Sequence, residues 1–162
     1  MRSSPVAALL WTALSAVPAS AQQNRSHPLC DALVQPDQLA ALSGHAWRSG
    51  QGIGLNNDKL VCNFYQDEAP AGLALSVRLD PQKREFNAAR ELHVRAAESV
   101  SGIGDDAFYF RLASIEPFAP TWSLVVYANE ETYRLEGVPE AGNAERARNY
   151  ARELVLRVMK KF

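Results

Sequence analysis

The chain has 162 residues, 17 basic against 18 acidic side chains, and 47 % hydrophobic and 9 % aromatic residues. Near-neutrality offers no basic field for nucleic acid or an anionic membrane, and the apolar fraction suffices for an ordinary core, which argues against a disordered chain. The length suits one domain built around one core.

Residues 1–21 read as a secretory signal. Arg2 is the positive n-region, residues 6–14 are an apolar stretch too short to span a bilayer, and Ala19-Ser20-Ala21 is a small-residue exit. The expected product is a single domain over 22–162, periplasmic or secreted, monomeric, with no transmembrane segment. Cys30 and Cys62 both lie in that domain. In an oxidising compartment an isolated pair forms a disulfide, which here would tie an N-terminal arm to the first strand. The residues before Cys30, His27-Pro28-Leu29, do not make a lipobox, so lipid anchoring at this cysteine is not expected.

In chain order, residues 35–44 predict a short helix, with Pro36 at its first turn and Gly44 past its end. Residues 45–59 hold glycines, asparagines and an aspartate without a hydrophobic period, and read as a loop. Residues 60–66 and 73–79 predict two strands, the second alternating Leu73, Leu75 and Val77 with small or polar residues. Asp80-Pro81 predicts the start of a helix running to about Ala97, with Phe86, Ala89, His93 and Ala96 along one side. Strands are expected over 107–113, 121–128 and 132–138, with a tight turn at Asn129-Glu130-Glu131. Residues 143–162 form the clearest amphipathic helix, its stripe being Ala147, Tyr150, Ala151, Leu154, Val158 and Phe162. The order α-β-β-α-β-β-β-α, with hairpin-length connections, predicts an α+β domain: an antiparallel sheet of about five strands with the helices on one face.

Catalytic and metal-binding patterns are weak. The three histidines, His27, His45 and His93, have no His or Cys partner at ligand spacing, so no metal and no cofactor is expected. There is no nucleophile elbow, and Gly52-Ile53-Gly54 and Gly102-Ile103-Gly104 each precede a strand, unlike a dinucleotide loop. Asp105-Asp106 and Glu130-Glu131 are adjacent pairs, a spacing that does not make a shared-proton dyad on a strand. The candidate binding surface is Trp47 and Arg48, residue types enriched at interface hot spots, together with Asp105 and Asp106. The basic residues Arg146, Arg148, Arg152, Arg157, Lys160 and Lys161 of the last helix read as a solvated face that complements the helix dipole, with attraction to acidic envelope polymers as the functional reading.

Cys30-Asp-Ala-Leu-Val34, Pro36 to Gly44, Cys62-Asn-Phe-Tyr65 and Ser101-Gly-Ile-Gly-Asp-Asp-Ala-Phe-Tyr109 together make the chain resemble small exported bacterial domains of unknown function, common among actinobacterial envelope lipoproteins. The resemblance implies an α+β fold, a Cys30–Cys62 disulfide and no assigned activity. The expected function is a non-enzymatic binding domain of the cell envelope, acting on a protein or an envelope component. Two alternatives stand beside it: a small-ligand carrier with an apolar pocket lined by Phe64, Phe110 and Trp122, and a small hydrolase using His45, Asp105 and Asp106.

Overall fold

Leu73, Leu75 and Val77 are buried while Ala74, Ser76 and Arg78 are half-exposed, the period of two that a strand with one covered face requires. A computed structural model describes residues 28–48, 50–52, 58–66, 72–113 and 120–162; the expected signal segment and His27 lie outside them. The elements are α1 (Pro28–Leu33), α2 (Pro36–Ser43), β1 (Gln51–Gly52), β2 (Asp58–Tyr65), β3 (Gly72–Leu79), α3 (Arg84–Leu92), β4 (Glu98–Ser99), β5 (Asp106–Leu112), β6 (Thr121–Ala128), β7 (Glu131–Pro139) and α4 (Ala144–Met159). The described strands make one antiparallel sheet in the order β1-β2-β3-β7-β6-β5-β4. The five expected strands are its long members. β1 and β4, two residues each, lie at the edges and are too short to leave a hydrophobic period in the sequence.

The class is the α+β domain expected, but the helices divide. α1, α2 and α4 share the core with Leu60, Cys62, Phe64, Leu73, Leu75, Val77, Leu124, Val126, Tyr133 and Leu135. The expectation of one helical face holds for these three. α3 crosses the opposite face, where Phe86 and Ala89 pack on Phe108, Phe110 and Val125. Phe86 meets Phe108 edge-on at 5.3 Å, the geometry that ring quadrupoles favour. Aromatic residues at consecutive positions of β5 point to both faces, so each face needs its own cover.

Local chemistry explains the element ends. Gly44 takes φ 76 and its N–H donates to the Ala40 carbonyl, closing α2 as expected. α3 begins later than predicted, at Arg84, yet Asp80 still caps it: its carboxylate accepts from the N–H groups of Arg84, Glu85 and Phe86 and from Thr132 Oγ1. The helix stops at Leu92 rather than near Ala97, because His93 and the three residues after it form turns. In α4, Asn143 caps the start by accepting from the Arg146 N–H, and Ala147, Ala151, Leu154, Val155 and Val158 are buried. Asn129 and Glu130 both have positive φ, the hairpin geometry whose twist suits β6 and β7.

Cys30 in α1 and Cys62 in β2 form the disulfide, across a separation of 32 residues. Replacing both cysteines by alanine is expected to cost about 3.5 kcal/mol on the loop-entropy account, measured by urea unfolding of the oxidised protein and the variant. A second constraint lies where β3 meets β7. Gly137 has φ 82, and a Cβ there would stand 2.1 Å from the Gly72 carbonyl oxygen. Gly137→Ala is expected to lose about 2 to 4 kcal/mol in the same assay, because backbone must move against backbone.

Candidate binding surface

The structure separates the residues singled out in the sequence. Trp47 is 7 % exposed. Its Nε1 donates to Ser43 Oγ at 2.8 Å, and its backbone bridges Gln66. The ring therefore belongs to the core and does not contribute to the expected binding surface. The backbone N–H of Arg48 donates to the Tyr65 carbonyl, which puts this exposed residue beside the end of β2. Asp105 is exposed beyond the start of β5, with its N–H on the Tyr127 carbonyl. β2 and β5 are four strand positions apart in the sheet, about 19 Å from strand spacing alone. Arg48 and Asp105 thus lie at separate corners and make no common surface.

Asp106 is spent on α3. It accepts from Lys83 Nζ at 2.7 Å and from Arg90 Nη1 at 3.2 Å. Partial burial would raise its pKa, but the hydrogen bond and charge of Lys83 and the charge of Arg90 outweigh burial and hold it below the ordinary carboxylate value. His45 follows α2, at the Trp47 end, so the sheet does not converge His45 with Asp105 and Asp106 as the hydrolase alternative required. The carrier alternative meets a similar correction: Phe64 and Trp122 fill the core beneath α4 whereas Phe110 faces α3, and all three are buried. Side chains of alternate parity on strands cannot line one cavity across a sheet.

The α4 arginines reach neighbouring elements while Arg146 and Arg157 stay exposed, as a solvated face would have them. Arg157 donates to the Leu33 carbonyl at the end of α1, and Arg146 to the Ala41 carbonyl in the last turn of α2. Arg152 donates to the Gly102 carbonyl, and Arg148 lies over the rings of Tyr109 and Trp122 at 4.8 and 5.0 Å. Guanidinium forks supply the helix-end carbonyls with donors they lack internally. Beside them, burial pushes the Tyr150 phenol up to about 12, against the opposing charge of Arg157.

What remains open is the part of the α3 side that α3 does not cover. There β3 presents Gly72, Ala74 and Ser76, flanked by Val61, Asn63 and Tyr65 of β2 and by Arg134 and Glu136 of β7. Register aligns Asn63, Ala74 and Glu136 in one row and Val61, Ser76 and Arg134 in the next. Small side chains between longer ones make a shallow trough, its walls about 10 Å apart from strand spacing. Arg134 Nη2 donates to Glu136 Oε1 at 2.6 Å, while Arg134 Nε is buried without a partner. Ser123 Oγ, on β6 opposite Phe110, is the second unpartnered buried atom on this side of the sheet. Each is a polar group left without the bond that burial normally demands.

The trough ends at the α3 boundary, where the His93 ring stacks on Phe110 with centroids 3.8 Å apart. Burial lowers the His93 pKa from its ordinary 6.5, Arg134 lowers it further, and Glu136 opposes both. Sequence reasoning placed His93 on the apolar side of the helix, but Arg134 and Glu136 gave no sign of a shared surface. Their juxtaposition depends on the pairing of β7 with β3, which no local pattern encodes.

The fold and surface define a disulfide-stapled antiparallel α+β domain with one sheet face half open. Comparison with protein-family models, curated proteins and solved structures returns no match to this chain.

The His93 environment sets a pH dependence. Its folded-state pKa lies below 6.5, so as pH falls the unfolded chain takes the proton first. Stability is complete above that value and declines as pH falls from it to the folded-state pKa. Between about pH 7.5 and 5.5, urea unfolding of the wild type is expected to show this decline, and His93→Phe, which keeps a ring on Phe110, to reduce it.

Proposed function

We propose that the protein is an exported, non-enzymatic binding domain of the bacterial cell envelope, holding a protein or an envelope component on the trough of β2, β3 and β7. The observation that carries this reading is the trough itself. It is a half-exposed polar sheet face floored by Gly72, Ala74 and Ser76 and walled by Asn63, Tyr65, Arg134 and Glu136. Planar amide, guanidinium and carboxylate groups beside an aromatic ring give directional donors and acceptors together with apolar contact, the mixture that recognition surfaces use. Export is supported by the leader-like first 21 residues and by the disulfide, which persists in oxidising compartments. Among the described residues no helix is long and apolar enough to cross a membrane. The resemblance to exported envelope domains points the same way.

The test is affinity capture from envelope extract with the oxidised protein, alongside Ser76→Arg, which fills the trough floor from a half-exposed position. Wild type is expected to retain a specific component, and the variant to retain it at least about tenfold less, with unchanged circular dichroism. Equal retention by the variant would remove the trough as the site. An extract from which the wild type retains nothing above a control protein would overturn the binding-domain reading.

A further inference from the structure

Asp80, Glu131 and Asp106 are used by the fold itself, but a group of polar side chains on the trough is not. The Asn63 amide, the Tyr65 hydroxyl and the Ser76 hydroxyl take part in none of the side-chain hydrogen bonds among the described residues. Arg134 engages one carboxylate oxygen of Glu136 and leaves the other available. Register brings these groups onto one face, with Asn63 and Glu136 on either side of Ala74 and Tyr65 opposite Gly72. Tyr65 is 43 % exposed. A Cβ placed on Gly72 would stand 3.4 and 3.5 Å from its Cδ1 and Cε1, so the ring leans over the bare glycine and offers a face at that end of the trough.

The lining disfavours two kinds of occupant. Arg134 and Glu136 neutralise each other and the other lining side chains are uncharged, so neither an anionic polymer nor a basic segment meets a net charge of opposite sign. β3 and β7 are each paired on both sides, so an extended peptide finds no open backbone edge to join there. What the lining matches is a flat, uncharged molecule with apolar faces and a polar rim. A pyranose ring with equatorial hydroxyls has that form, its C–H bonds directed to the two faces and its hydroxyls outward. Polarised C–H bonds settle on the negative face of an aromatic ring. Hydroxyls at the rim both donate and accept, which suits the amide of Asn63 and the carboxylate of Glu136. From the Tyr65 row to the Val61 row the trough runs about 13 Å along the strand, room for more than one such ring.

We propose that the trough takes a neutral, β-linked glycan of equatorial pyranose rings, one ring lying on Tyr65 with its rim hydroxyls held by Asn63 and Glu136. This assignment rests on the trough being the binding surface and adds the class of component it holds. β-linkage keeps such a chain flat and extended, the form a shallow groove admits, whereas an α-linked chain curves out of it. One stacking ring makes the site weak for a single sugar unit, and affinity grows with the number of rings that lie in the trough.

Titration of the oxidised protein with cellotetraose, N-acetylated chitotetraose, maltotetraose and tetragalacturonate, followed by backbone amide NMR shifts, tests this. Saturable binding of cellotetraose or acetylated chitotetraose is expected, with shifts on β2, β3 and β7, and with the α-linked maltotetraose and the anionic tetragalacturonate bound at least about tenfold more weakly. Tyr65→Ala is expected to weaken binding by about tenfold or more, and Tyr65→Phe, which keeps the ring, by less than about threefold. Asn63→Ala, at a half-exposed position, is expected to weaken it by about fivefold, and supplies the comparison if Tyr65→Ala unfolds. A wild type that binds neither β-linked tetrasaccharide, or that binds tetragalacturonate more tightly, overturns the proposal. Binding undiminished in Tyr65→Ala and Asn63→Ala, or shifts confined to other elements, overturns it as well. A component captured from envelope extract and lost with Ser76→Arg, when neither tetrasaccharide binds, leaves the trough as the site and removes the glycan as its occupant.

Discussion

The pairing of β3 with β7 is the constraint on which the rest of this structure depends. It joins a hairpin, β2 and β3, to a meander, β5 to β7, which are separated in sequence by α3. Six residue pairs, from Ala74 with Glu136 to Leu79 with Glu131, hold the register. That register puts Leu75 opposite Leu135 and Val77 opposite Tyr133 in the core, and leaves Ser76 beside Arg134 on the other face. A slip of one residue would exchange the two sets, burying Arg134 and Glu136 beneath α4 and exposing Leu135. At its far end the pairing brings Gly137 so near the Gly72 carbonyl that no side chain fits.

Two buried acids secure the other end of that pair. Asp80, 4 % exposed, leaves β3 and binds three N–H groups at the start of α3 together with the Thr132 hydroxyl of β7. Glu131, equally buried, accepts from Lys59 Nζ of β2 and from the Tyr133 hydroxyl. Buried carboxylates are tolerated only when so satisfied. The result is a sheet fixed at the Asp80 end and open at the Gly72 end, where the trough begins. Much of the charge of the chain is used in the same structural way, since Asp106 binds α3 and four arginines of α4 bind the neighbouring elements. Among the described residues the polar trough is the sheet face left half-exposed by this arrangement.

Much of the fold was legible in the sequence because its signals are local. The alternation of Leu73, Leu75 and Val77, the stripe of α4, the Pro36 and Gly44 ends of α2 and the Asn129-Glu130 turn each depend on residues within a few positions. α1 and the two edge strands were not legible, since two to six residues are too few for a period. α3 was placed too long because helical periodicity continues past Leu92, whereas the backbone leaves the helical conformation at His93 and continues as turns. The candidate site was hardly legible. Trp47 and Asp106 drew notice as types that bind partners, and the structure uses both for itself. Arg134 and Glu136 alternate with buried residues and look like the solvent side of any strand.

The sequence by itself determined the class: one antiparallel α+β domain with a paired cysteine, because period, turn chemistry and cysteine count are written residue by residue. Only the tertiary structure decided that α3 lies across the sheet from the other helices and that β7 chooses β3 as its second neighbour. It also decided which polar residues were left half-exposed. Those outcomes follow from competition among distant segments for the same buried area, and that competition is settled by packing the whole chain at once.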